Sequence, residues 1–399
     1  MATSFPLAAC NRSQPPILEP MRHRCRAFHN ANPSVLSDSP YLRVSSRHRI
    51  LSTPCSITST ESSTQRSKPP PCEFSPMANG DEDVRYEEEY IDNPRGLKLF
   101  TCRWLPENKD PKALIFLCHG YAMECSISMR DTATRCAKAG YAVYGIDYEG
   151  HGKSSGLQGY VPSFQHIVND CSDFFVGVCE RPENKKKARY LLGESMGGAT
   201  ALLLHRKEPS YWNGAVLVAP MCKIADELKP HPFVVSILKK LSNIIPTWKI
   251  VPTRDIIDIA FKSPEKREEV RSSQYCYKGK PRLKTAHELL MASLDIEQNL
   301  HQVSLPFLVV HGGDDIVTDP SVSKLLYETA SSEDKTFKLY PGMWHALTSG
   351  EPPESIDLVF SDIIAWLDQR TTTQDPASEM ELKAKHDEDA HSKTSQIDG

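Results

Sequence analysis

Long apolar runs are missing from this 399-residue sequence. None approaches the ~20 consecutive apolar residues that a membrane-spanning helix needs, so a transmembrane anchor is not expected. A dense basic patch is missing too, and the formal net charge is −4. Nucleic acid is therefore not an expected partner. The twelve cysteines include no Cys-x-x-Cys pair, which removes the commonest spacing of a zinc site. Cys118, Cys171 and Cys179 lie within apolar runs and read as reduced, buried thiols of an intracellular compartment rather than a disulfide frame. No metal or other cofactor is expected. Acidic residues are scarce at the start of the chain, where Glu19, Asp38 and Glu61 are the only ones before residue 73. Residues 1–80 are instead rich in Ser, Pro and Arg and show no apolar periodicity, so they cannot bury a core. An acid-poor, Arg- and Ser-rich start predicts an organelle presequence of plastid type, hence a chloroplast location, with a cytoplasmic or membrane-peripheral protein as the alternative.

The body, residues 81–370, is different. Leu114–Cys118 and the runs 141–146, 190–192, 215–218 and 306–310 are short and apolar, and each is separated from the next by enough chain for a helix. That rhythm predicts an α/β fold with a mostly parallel sheet covered on both faces. Residues 336–340 read as a late strand and 356–367 as a closing helix. Polar groups gather after the strands, at the edge where open α/β sheets bind ligands. From about 221 to 305 the rhythm stops and no strand is predicted; a loop of that length is improbable, and a helical cap over the sheet edge is the reading. Its segment 233–245 is apolar on more than one helical face, which suits an acyl chain or a reversible contact with a membrane. Residues 371–399 are polar and charged and read as a solvated tail.

Gly193-Glu194-Ser195-Met196-Gly197 follows the apolar run at 190–192 and precedes a helical pattern. Glycines two positions either side of a serine allow a strand-to-helix turn sharp enough to expose the hydroxyl. A serine hydroxyl is protonated at neutral pH, so it needs a histidine base, and the base needs a carboxylate to orient it. On a sheet of this kind the chain order is Ser, acid, His. His311-Gly312-Gly313-Asp314-Asp315 ends a late strand, and Pro341-Gly342-Met343-Trp344-His345 precedes the last helix. Ser195 is thus the expected nucleophile and His345 the base. Asp315 is the preferred acid, with Asp314 and Asp319 as alternatives; Asp319, before Pro320, also suits a helix N-cap. His119, His151 and His311 sit beside glycines at strand ends and read as supporting or packing residues. The expected oxyanion donors are the backbone N–H groups of Met196 and Tyr121, each worth ~3–4 kcal/mol in an acyl-transfer site.

Together with Phe116-Leu117-Cys118-His119-Gly120-Tyr121, Asp147-Tyr148-Glu149-Gly150-His151-Gly152-Lys153-Ser154 and Ala219-Pro220-Met221-Cys222-Lys223, these residues resemble the monoacylglycerol lipase-like branch of the α/β-hydrolases, and more narrowly its plant members. The likeness covers residues 82–370. It implies a serine carboxylic-ester hydrolase needing no cofactor, with monoacylglycerol as substrate and a lysophospholipid or a phenolic ester such as caffeoylshikimate as alternatives. The same roles carry over to Ser195, Asp315, His345, Tyr121 and Met196. Two positions depart from the branch: Ala122 stands where glycine is frequent, and Asp314 where a small uncharged residue is frequent. A ligand receptor on a hydrolase fold is the non-enzymatic alternative.

Overall fold

The computed structural model describes residues 83–223, 231–250 and 255–372, all within one compact unit, Glu73–Gly399. The N-terminal segment expected to be a presequence and nearly all of the expected tail lie outside the described residues.

Eight strands form one sheet in the order β1-β2-β4-β3-β5-β6-β7-β8. β3 (Leu114–Cys118), β4 (Ala142–Ile146), β5 (Arg189–Glu194), β6 (Gly214–Val218), β7 (Phe307–Gly312) and β8 (Lys335–Tyr340) run parallel. β1 (Val84–Asp92) and β2 (Lys98–Pro106) were not anticipated from the sequence and add an antiparallel edge. β1 carries Glu87-Glu88-Glu89 and alternates poorly, because it pairs on one side only and keeps most of its residues in solvent.

Strands β3, β4 and β6 are buried throughout, as a sheet covered on both faces requires. Successive side chains point to opposite faces. Leu114 and Phe116 pack with Phe164 and Phe175 of α2 (Phe164–Cys179), Leu202 of α3 (Met196–Lys207) and Leu326 of α8 (Pro320–Thr329). Ile115 and Leu117 pack with Ala133 and Cys136 of α1 (Arg130–Lys138) and with Val359, Phe360 and Ile363 of α9 (Pro353–Thr372). α9 runs past the expected start of the tail, and the hydroxyls of Thr371 and Thr372 donate to the Leu367 and Asp368 carbonyls at 2.9 and 2.8 Å. Every described cysteine is free and buried.

Between β6 and β7 the described chain is helical: α4 (Pro232–Ile244), α5 (Ile256–Ala260), α6 (Pro264–Ser272) and α7 (Leu283–Gln298). Asp255 caps α5 by accepting the Ile257 N–H at 3.0 Å, and Ser263 caps α6 by accepting the Lys266 N–H at 3.1 Å. α7 packs on α2 and α3 and contributes Ala292 and Ile296 to the main core. Its apolar face has a partner in the body, and α7 also packs on α4, so it links the segment expected as a cap to the sheet's helical layer.

The chain leaves β3 towards β4 and leaves β5 towards β6, on opposite sides of the sheet. The carboxyl ends of the adjacent strands β3 and β5 therefore form a topological switch point, where such sheets hold their ligands. The loop 119–122 follows β3, and Ser195 follows β5.

Candidate active site

Ser195 stands between β5 and α3 with φ 55° and ψ −115°, a left-handed conformation that costs a non-glycine residue ~1–3 kcal/mol. The flanking glycines are a steric necessity. A Cβ on Gly193 would overlap the Gly197 carbonyl, and one on Gly197 would overlap the carbonyl of Cys118 at the end of β3. Ser195 N–H donates to the Val218 carbonyl at 2.9 Å and its carbonyl accepts from Met221 N–H at 2.9 Å, so β6 holds the turn in place.

Asp315 and His345 meet although 30 positions separate them: His345 Nδ1 lies 2.7 Å from Asp315 Oδ2. With Nδ1–H donating to the carboxylate, Nε2 is left as the basic nitrogen. Asp315 is buried, and its Oδ1 accepts the N–H groups of Val317 and Thr318 at 2.7 and 3.1 Å. Oδ2 also receives His311 Nε2 at 3.0 Å and the Thr318 hydroxyl at 2.9 Å. Burial would raise this carboxyl, but the hydrogen bonds and charges of His311 and His345 outweigh it and hold Asp315 well below the usual carboxylate range.

The two alternative acids go elsewhere. Asp314 is exposed, with its backbone N–H on the Met343 carbonyl at 3.0 Å. Asp319 caps α8 by accepting Ser321 N–H at 2.8 Å.

Ser195, His345 and Thr318 line one cavity of about 440 Å³ together with Tyr121 and Met196. Its wall is largely apolar, through residues such as Met123, Met129, Met221, Phe261 and Leu289. A Cβ on Gly120 would lie 3.6 Å from Ser195 Cβ, so the loop after β3 runs directly beside the serine. The Tyr121 phenol turns away and donates to the Gly159 carbonyl at 2.9 Å. Among the described residues neither the Tyr121 nor the Met196 backbone N–H has a protein partner, and the same holds for the Ser195 hydroxyl. Ala122 has φ 66°, so the loop needs left-handed backbone here, which glycine adopts more readily than alanine.

Three further residues went unnoticed in the sequence. Thr318 bonds the acid and also lies 3.1 Å from His345 Nδ1. Glu194, beside the serine, accepts the Thr348 hydroxyl at 2.8 Å and so ties the turn to the histidine's loop. Burial raises its carboxyl above the ordinary range, against the two threonine hydroxyls of Thr348 and Thr132. Glu124 is fully buried beneath the loop after β3 and accepts Ser128 N–H at 2.8 Å and the Ser126 hydroxyl at 2.7 Å. Only the adjacency of Glu194 to Ser195, and the three-residue spacing from Asp315 to Thr318, hinted at the first two.

The remaining histidines are supports. His119 donates through Nδ1 to the Gly120 carbonyl at 2.8 Å and accepts the Tyr148 N–H on Nε2 at 3.1 Å, and burial keeps it neutral. His151 is pushed down to about 4 by burial. Beside them Asp147 accepts the N–H groups of Cys125 and Lys153 at 2.8 and 2.9 Å. Burial and the charge of Glu124 push Asp147 up to about 8. Among the described residues no group of three or more His, Cys, Asp or Glu could hold a metal ion.

A serine on a strained turn at the switch point of a mostly parallel eight-stranded sheet, sharing a cavity with a histidine that a late acid contacts, defines an α/β-hydrolase. Residues 109–353 match the model of Hydrolase_4, the serine aminopeptidase S33 family, and the chain belongs to it. It is a hydrolase of the lipase and esterase type. The caffeoylshikimate esterase of Arabidopsis thaliana is 37% identical over 72% of this chain and 86% of its own length. The monoglyceride lipase of Homo sapiens is 33% identical over 74% of this chain and 96% of its own. A soluble variant of monoglyceride lipase from Saccharomyces cerevisiae, crystallised with a substrate analog, superimposes with a TM-score of 0.63 at 21% identity, covering 71% of this chain and 94% of that one. This last likeness bears on the fold alone.

Proposed function

We propose that this enzyme hydrolyses a single-acyl carboxylic ester through Ser195, His345 and Asp315, with a monoacylglycerol as the leading substrate. The observation that carries the reading is the 2.7 Å contact between His345 Nδ1 and Asp315 Oδ2, in a cavity shared with a serine at φ 55°. Ser195 Oγ attacks the ester carbonyl while His345 Nε2 takes its proton, and the imidazolium formed is stabilised by Asp315. The N–H groups of Met196 and Tyr121 receive the charge that develops on the carbonyl oxygen. His345 then gives the proton to the leaving alcohol, and water activated by the same base releases the acid. The hydrogen bond from Ser195 Oγ to His345 Nε2 forms when substrate fills the cavity.

The apolar wall suits an acyl chain, and it suits an aromatic ring as well. A lysophospholipid and a phenolic ester therefore remain second readings, the latter supported by the 37% identity to a caffeoylshikimate esterase. Hydrolysis assays of the full chain against monoacylglycerols, lysophospholipids and hydroxycinnamate esters, with Ser195→Ala as control, test this. A folded protein whose Ser195 resists a fluorophosphonate probe overturns the enzymatic reading in favour of a ligand receptor.

Residues 1–80 would carry the chain into chloroplasts, which a fluorescent fusion of that segment tests; a cytoplasmic signal overturns it. α4 and the segment after it would rest on membranes: Phe233, Ile244 and Trp248 are 67%, 74% and 57% exposed, a large apolar surface for a protein to leave in water.

A further inference from the structure

We infer that the rim of the Ser195 cavity is an anion-binding subsite, built by Lys249, Lys278 and Lys280, which takes a phosphate or carboxylate on the alcohol half of the ester. The inference rests on the ester hydrolase reading and extends it to charged substrates.

Residues 278–284 read Lys-Gly-Lys-Pro-Arg-Leu-Lys, with four cations in seven positions. Lys278 and Lys280 line the same cavity as Ser195 and His345. Their loop is bonded to the one beside the serine, since Tyr277 N–H donates to the Ala122 carbonyl at 2.9 Å. Lys278 thus follows a residue anchored one position from Tyr121, whose N–H is the proposed oxyanion donor.

A second segment brings the third lysine. Leu283 and Lys284 donate their N–H groups to the Trp248 and Pro246 carbonyls at 2.8 and 2.9 Å, and Arg282 Nη1 reaches the Thr247 carbonyl at 3.0 Å. Residues 246–248 and 282–284 are therefore laced together, and Lys249 leaves that lacing over the Tyr277 ring, its Nζ 5.1 Å from the ring centroid. The same Nζ would lie 3.1 Å from a Cβ on Gly279, so a side chain there would press on the ammonium.

Among the described residues none of Lys249, Lys278 and Lys280 has a carboxylate partner, and Lys278 Nζ bonds only the neutral Ser273 carbonyl. Asp255, which also lines the cavity, has its Oδ2 on Arg271 at 2.9 Å and its Oδ1 on the Ile257 N–H. Asp258 is taken by the same Arg271 at 2.7 Å. Glu194, beside the serine, accepts the Thr348 and Thr132 hydroxyls at 2.8 and 3.4 Å. An ester whose acyl part fills the apolar wall has its alcohol half left for the rim, where three ammonium groups favour a negative charge.

The test compares, within each of two arms, esters that share one acyl group. Octanoylglycerol and octanoylglycerol phosphate form the phosphate arm; a neutral alkyl caffeate and a caffeate ester of a hydroxycarboxylic acid form the carboxylate arm. With the full chain, the anionic member of at least one arm has the lower KM, and the arm that responds identifies the anion. In Lys278→Ala/Lys280→Ala and in Lys249→Glu that KM rises roughly tenfold at low salt while the neutral member's KM and kcat stay put, and raising the ionic strength reproduces the effect in the unsubstituted enzyme. Equal KM values within both arms, or variants that move neutral and anionic members alike, overturn the subsite. Fluorophosphonate labelling and p-nitrophenyl butyrate turnover of the same variants separate the two claims: labelled, active variants without charge selection refute the subsite alone, whereas an unlabelled parent enzyme refutes the ester hydrolase reading.

Discussion

His311 and His345 converge on a single oxygen. Their Nε2 and Nδ1 atoms lie 3.0 and 2.7 Å from Asp315 Oδ2, and His311 Nδ1 continues inward to the Ser323 hydroxyl at 2.7 Å. The acid is shared between a fully buried imidazole and the one that lines the cavity. His311 orients Asp315 and draws off part of the charge that His345 feels. His311→Gln should lower kcat with KM little changed, because Asp315 loses one of the two imidazoles that hold its carboxylate in place. An unchanged kcat would show that His311 only fills space.

Asp315→Asn should leave the fold intact and lower kcat on the order of 10⁴-fold, since the amide offers His345 the wrong tautomer. It should also alter acid stability. Asp315 titrates below its unfolded value, so its contribution is present above ~4 and is lost as pH falls through the folded pKa. Acid unfolding followed by circular dichroism should be steeper for the unsubstituted protein than for Asp315→Asn. Parallel curves would contradict the linkage.

Asp147 has the opposite sign. Burial and Glu124 push it up to about 8, so the folded protein keeps a proton that the unfolded chain releases. Its contribution to stability declines as pH rises from ~4 to about 8. Infrared difference spectra at neutral pH should contain a protonated carboxyl band that Asp147→Asn removes.

Gly197→Ala should cost several kcal/mol in urea unfolding, because its Cβ would overlap the Cys118 carbonyl in a packed strand. Ala122→Gly is the contrast. At φ 66° the alanine is strained, and the ~1 kcal/mol that glycine costs elsewhere should be offset there, leaving stability unchanged or higher. A loss of more than ~1 kcal/mol would mean that the Ala122 methyl packs usefully.

Deleting residues 233–245 should abolish sedimentation with lipid vesicles, since the deletion removes Phe233 and most of the exposed apolar face of α4. Undiminished vesicle binding would move the contact elsewhere. Ile237→Glu, at a position 41% exposed, is the milder test that spares the fold.

Strands β3 to β7 were legible because each centres on a short apolar run ending near a polar or turn residue, as Leu114–Cys118 before His119 illustrates, whereas β8, with Lys335 and Lys338, shows only alternation. β1 was hidden by Glu87-Glu88-Glu89, whose charges are tolerated only because an edge strand leaves one side in water. The packing of α7 against α2 and α3, beside its contact with α4, leaves no local mark in the sequence. Ser195 announced itself through glycines that sterics impose.

By itself the sequence determined the alternation of strand and helix and the turn around Ser195, and it offered a serine, an acid and a histidine in the order expected of an α/β-hydrolase. These are local or periodic properties, set by backbone sterics and burial. Only the tertiary structure decided between adjacent carboxylates, turning Asp315 inward to His345 and leaving Asp314 in solvent. It alone brought Lys249 beside Lys278 and Lys280, and His311 onto the acid that His345 uses. The reason is geometric: such contacts join side chains from separate segments, and their distances exist only after the sheet and its helices have packed.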